Sequence, residues 1–202
     1  MSDLSGLYGD ARCHSEGMCH GRTLVRAIEM LFEKIGRQSL VSLLFAFLLR
    51  PAFCEELGSA PVDIQAAIFF KLLAFDKKIS SGGNITVYVV GSHDFAVAMK
   101  KAEGKAVGAA TLGKVIEGAD VPHEKPSVIY IGAESALAKL QSYTAANKVL
   151  SITGVPELAQ KGVSLTIGVK EGKPKILLNL AASKEEGIEW NLAILKVATT
   201  IK

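Results

Sequence analysis

The chain has 202 residues, a formal net charge of only +3, and 49% hydrophobic against 21% charged residues. That balance excludes a disordered chain and gives no electrostatic footprint for nucleic acid. All five arginines (Arg12, Arg22, Arg26, Arg37, Arg50) and all three cysteines (Cys13, Cys19, Cys54) lie at or before residue 54, so the rest of the chain has neither thiol chemistry nor the guanidinium fork that grips phosphates.

Residues 1–29 carry Cys13-His14 and Cys19-His20, but the two cysteines are separated by five residues and no second pair follows. Neither zinc-knuckle spacing nor a Cys-x-x-Cys-His haem motif is present, and no metal site is expected. We read residues 1–29 as an upstream extension, with translation starting at Met30. Residues 30–54 then read as a signal peptide. Lys34 and Arg37 form its charged start, an 11-residue apolar run spans Ser39 to Leu49, and Pro51 precedes the small-residue site Ala52-Phe53-Cys54. The run is well short of the roughly 20 residues that span a bilayer. A buried helix is the competing reading, weakened by the lack of a polar face. Lipid attachment at Cys54 is disfavoured by bulky Phe53, so cleavage after Cys54 and an exported domain of residues 55–202 are expected.

In that domain, Ile64, Ala67, Ile68, Leu72 and Phe75 recur at helical spacing and predict a helix from Val62 to Phe75. Ile85–Val90 predicts a buried strand that stops at Gly91, and a helix follows from about Phe95 to Glu103. Residues 111–118 predict a short strand. Val128–Ile131 predicts another strand, Glu134 to Ala146 a helix, and Val149–Ile152 a further strand. Pro156 opens and Gly162 closes a short helix. Alternation from Ser164 to Val169, a turn at Lys170–Lys173 and a return over Ile176–Leu180 predict a β-hairpin. Leu192, Leu195 and Ala198 share a stripe that predicts a terminal helix from about Glu189 to Ile201. The fold class is therefore α/β: a mainly parallel sheet flanked by helices, with a C-terminal β-hairpin and a terminal helix.

Open α/β sheets bind ligands beyond the carboxyl ends of their strands. Ser92, His93, Glu134, Ser135, Ser151 and Thr153 lie at such ends and form the candidate ligand crevice. The competing reading is that they are turn and helix-cap residues, where Ser, Thr and acidic side chains are favoured anyway. No catalytic residues are assigned: beyond Cys54 the chain has only His93 and His123, no cysteine, and no Gly-x-Ser-x-Gly elbow. Gly82-Gly83 lacks phosphate-loop spacing and no Gly-x-Gly-x-x-Gly follows a strand, so no cofactor is expected. Trp190, the single tryptophan, is either an interface anchor or a large packing residue.

Several blocks taken together resemble the YfiR family of small bacterial periplasmic proteins: Ala66–Leu73, the strand Ile85 to Gly91, Gly104–Val107, Val128–Gly132, Ile176–Ala182, and Gly187-Ile188 leading into Leu192–Ile201. The resemblance covers nearly all of the domain and rests on order and spacing rather than on a catalytic signature. It implies a regulator rather than an enzyme, one that represses a membrane-bound diguanylate cyclase, and so cyclic-di-GMP signalling, by contacting its periplasmic domain. Some members carry disulfide cysteines that make them redox-responsive, which is not implied here because no cysteine follows Cys54. A periplasmic small-molecule sensor is the alternative function, and a homodimer is compatible with both.

Overall fold

The computed structural model describes residues 57–201. The segments read as an upstream extension and an export signal lie outside the described residues.

A two-residue strand β1 (Gly58–Ser59) leads into helix α1 (Val62–Leu72), a 3-10 turn (Leu73–Phe75), the single turn α2 (Lys77–Ser80) and strand β2 (Gly83–Val90). Helix α3 (His93–Lys100) follows, then strands β3 (Ala106–Val107), β4 (Ala110–Gly118) and β5 (Val128–Ile131). A 3-10 turn (Glu134–Ala136) opens helix α4 (Leu137–Asn147), which returns to β6 (Leu150–Thr153) and the short helix α5 (Glu157–Gln160). The hairpin β7 (Leu165–Lys170) and β8 (Lys173–Asn179), helix α6 (Leu180–Glu185), a 3-10 turn (Leu192–Lys196) and strand β9 (Ala198–Ile201) complete the chain.

One sheet runs in the order β3-β4-β2-β5-β6-β7-β8-β9, with β1 added to β7. β4, β2, β5, β6 and β7 are mutually parallel, whereas β3 and β8 are antiparallel to their neighbours β4 and β7. Strand β5 shows why the centre of the sheet is parallel and covered. Val128 and Tyr130 enter the core under α1 and α3, while Ile129 and Ile131 enter a second core with Leu137 and Leu140 of α4 and Leu158 of α5. A strand buried on both faces reads as a continuous apolar run, and helices must cover each side.

In the hairpin, Lys170 pairs with Lys173, and Glu171 (φ 52) and Gly172 (φ 71) both take positive φ. Two such residues match the right-handed twist of the flanking strands. Helix α1 lies where its periodicity predicts, but its buried stripe is rotated. Gln65, Ala66, Phe69 and Leu72 face inward, and Ile64 is 43% exposed. The ring of Phe69 decides the rotation by meeting Phe95 and Tyr130 edge-on, at centroid distances of 5.9 and 6.2 Å.

The end of the chain departs from the helix expected over Glu189 to Ile201. Helical backbone is confined to the 3-10 turn, and the residues after it form β9, parallel to β8 from Ala198 opposite Ile176 to Ile201 opposite Asn179. The outer edge of β8 offered unpaired backbone groups, and the β-branched run Thr199-Thr200-Ile201 took them. A helix absent from the sequence reading, α6, lies just upstream. Asn179 caps it by accepting from the Ala182 N–H at 3.0 Å, and Gly187 (φ 65) stops it.

Candidate functional site

Strand β2 comes first in the parallel set, and the chain places β4 on one side of it and β5 on the other. The two connections leave the carboxyl ends of β2 and β5 in opposite directions, which is where sheets of this kind hold ligands. Here the two loops close on each other. The Gly132 N–H donates to Val90 O at 2.7 Å. A Cβ on Gly132 would stand 2.6 Å from Gly91 O, and one on Gly91 would stand 2.8 Å from the Ala133 Cβ.

Beneath the loops a polar network, buried at Gln65, Tyr130 and Gly154 and reaching the surface at Ser59, ties the start of the domain to the strand ends. The Tyr130 hydroxyl donates to Gln65 Oε1 at 3.0 Å, and Gln65 Nε2 donates to Ala60 O at 2.6 Å and to Ser59 Oγ at 3.3 Å. Ser59 Oγ donates to Gly154 O at 3.0 Å. Burial pushes the Tyr130 phenol up to about 12, against hydrogen bonds from the Gly154 backbone and the Ser92 side chain, so it stays a protonated donor throughout the physiological range. Its ring stacks on Phe95 at 3.7 Å between centroids and 14° between planes. Every member of the network is neutral.

No hydrogen bond among the described residues joins any two of the six candidate crevice residues. Ser92 caps α3, its Oγ accepting from the Phe95 N–H at 3.4 Å. His93 Nδ1 stands 3.0 Å from Glu117 Oε2, with the imidazole 72% exposed. Glu134 is ion-paired to Lys161, and Ser135 is exposed in the neighbouring 3-10 turn. Thr153 Oγ1 donates to Ile131 O at 2.6 Å and accepts from the Val155 N–H at 3.1 Å, stitching β6 to β5. Ser151 is buried within β6, and its Oγ accepts from the Ser164 N–H at 3.0 Å.

Ser151 leads to a group that the sequence reading did not single out. Glu186 is only 3% exposed. Its Oε2 accepts from the Ser151 N–H at 3.0 Å and from Ser164 Oγ at 2.5 Å. Burial pushes this carboxyl above the usual carboxylate range, and hydrogen bonds from Ser151, Ser164 and Thr144 oppose the shift. Glu186 follows directly on the capped helix α6. The helix then puts Ala182, Ser183 and Glu186 on one inward face.

Trp190 is half-buried and packs against the main core. It forms an isolated antiparallel bridge with Asp76, flanked by the Lys77 N–H to Glu189 O at 2.9 Å and the Asn191 N–H to Phe75 O at 2.7 Å. Its indole N–H is buried without a partner. Just beyond it the surface turns apolar: Leu192 is 78%, Leu195 46% and Val197 50% exposed. This patch adjoins β9, whose outer edge pairs with no described strand. Among the described residues, no three His, Cys, Asp or Glu side chains converge to hold a metal ion, and no helix is long and apolar enough to cross a membrane.

No curated protein matches the chain. A crystal structure of a conserved domain protein from Vibrio cholerae O1 biovar eltor shares the fold, with a TM-score of 0.50 at 18% identity over 71% of this chain. The match spans 60% of that protein's length. The family model described as YfiR/HmsC-like matches residues 62–199, from the first residue of α1 into β9, and the chain belongs to that family.

Proposed function

We propose that this protein is a periplasmic regulator that represses a membrane-bound diguanylate cyclase by contact with the cyclase's periplasmic domain. The observation that carries the reading is the family match over residues 62–199. Such a repressor needs a surface rather than chemistry. The exposed stretch of Leu192, Leu195 and Val197, continuous with the free edge of β9, supplies apolar contact area of the kind that marks interaction sites. Trp190 at its base belongs to the proposed contact as the residue that holds the stretch in place. Export by a signal peptide cleaved near Glu55 is part of the same proposal, and N-terminal sequencing of the periplasmic fraction tests it.

Deleting the gene should raise cellular cyclic-di-GMP, and the wild-type gene should restore it. Complementation with Leu192→Glu combined with Leu195→Glu should fail. Both side chains are exposed, so each change should cost no more than about 0.5 kcal/mol of stability, and an unchanged melting temperature checks this. His93→Ala and Ser135→Ala should still repress. Loss of repression in a folded His93→Ala protein would sink the contact reading in favour of a ligand sensor working at the strand ends.

A further inference from the structure

Glu186 is a carboxylate taken out of water without a counter-charge. It is 3% exposed, and none of the ion pairs among the described residues includes it. Its donors are the Ser151 N–H and the Ser164 hydroxyl, both neutral dipoles. A glutamine at this position would accept the same hydrogen bonds without the desolvation cost of a charge. A buried, unpaired ionisable group beside a cavity marks a site where a ligand supplies what the protein lacks.

The cavity is present. Glu186 lies on the wall of a space of about 470 Å³ between α4, the end of α5 and α6. Gln141 and Thr144 line it from α4, Asn179 from the end of β8, and Glu185 from α6 beside Glu186. Lys161 is the one cation among the lining side chains, and Glu134 already holds its ammonium; Lys148 reaches the end of α6 from outside the lining, where its ammonium donates to Glu185 O at 2.7 Å. Two carboxylates with amide and hydroxyl acceptors disfavour an anion. A neutral ligand would bring no charge to compensate an ionised Glu186. A metal ion is disfavoured because no third acidic or imidazole ligand converges here among the described residues.

We propose that this cavity binds a small organic cation, of the alkylammonium or amidinium class, whose charge compensates Glu186. The site is separate from the proposed cyclase contact and does not depend on it. Binding requires the ionised carboxylate, so affinity falls as pH drops through the raised pKa of Glu186.

The test titrates 1,4-diaminobutane into the purified, isotope-labelled protein, with 1,4-butanediol as the neutral control. The Ser151 amide, which donates to Glu186, should shift saturably with the diamine and not with the diol. Glu186→Gln should weaken binding about tenfold or more, the scale of a charge-assisted hydrogen bond. Should that variant fail to fold, the wild-type protein still decides: its Glu186 carboxyl-carbon titration midpoint must move down when the diamine is present. Equal shifts from the diol, undiminished binding by Glu186→Gln, or a midpoint that the diamine does not move would each overturn the proposal.

Discussion

Two polar networks, one buried except at Ser59 and the other buried throughout, sit in different parts of this sheet, and they are built on opposite terms. The one at the ends of β5 and β6 joins Tyr130, Gln65, Ser59 and Gly154, is wholly neutral, and lies under loops packed glycine to glycine. The one between β6, β7 and α6 joins Ser151, Ser164 and Glu186, contains an ionisable group, and borders open space. A neutral network whose donors all find acceptors repays its burial in rigidity. A charged one without a counter-ion does not, and its retention calls for another explanation. At the place where such sheets usually bind ligands the network is neutral and the loops are tightly packed, and the buried carboxyl lies elsewhere.

The comparison breaks most visibly at Gly132. A Cβ there meets the carbonyl oxygen and carbon of Gly91 at 2.6 and 2.8 Å, and backbone cannot step aside as a flexible side chain would. Gly132→Ala should cost about 3 kcal/mol, the upper range for overpacking, read as a fall of roughly 6–12 °C in melting temperature. A melting temperature within a degree of wild type would mean that the loops are not locked together.

Tyr130→Phe should cost less, about 1.5 kcal/mol, because the ring stack on Phe95 survives while Gln65 Oε1 loses its donor. It also has a pH signature. The folded phenol titrates at about 12 and an unfolded one near 10. The wild-type protein therefore loses this contribution as pH rises from about 10 toward 12, and the variant has none of it to lose. Alkaline melting curves that run parallel for the two proteins would contradict the network.

How much of this was readable beforehand depended on whether the deciding contact was local. The run Val128–Ile131 declared a buried strand, and the alternation around Glu171-Gly172 declared a hairpin, because pattern and turn chemistry sit in adjacent residues. The rotation of α1 was not readable, since it depends on Phe69 meeting Phe95 and Tyr130, 26 and 61 residues away by their numbers. The apolar stripe of Leu192 and Leu195 resembled a helix face, but the segment's fate was decided by the free edge of β8, which the stripe does not encode. For the site the difficulty was greater. Ser151 was singled out as a strand-end residue, yet its partner Glu186 could be found only by reading Asn179 as a helix cap and Gly187 as a stop.

The charged network makes the smallest prediction in size, and the one whose sign separates it from the neutral network. The carboxyl of Glu186 is raised by burial in the folded state. A group raised in the fold contributes its stability in full below its unfolded value, near 4.3 for glutamate, and that contribution is lost as pH rises through the folded value. Below that window Glu186→Gln should match the wild-type protein, since both carry a neutral side chain that accepts from Ser151 and Ser164. Above it the variant should be the more stable of the two, the reverse of what removing a stabilising residue does. Asp76 is also raised by burial and survives in the variant, so the pH dependence should be reduced rather than abolished. Chemical denaturation of both proteins at pH values on either side of the window checks this. A variant that is less stable than wild type at neutral pH would mean that the carboxylate is compensated within the fold, and the contrast between the two networks would not stand.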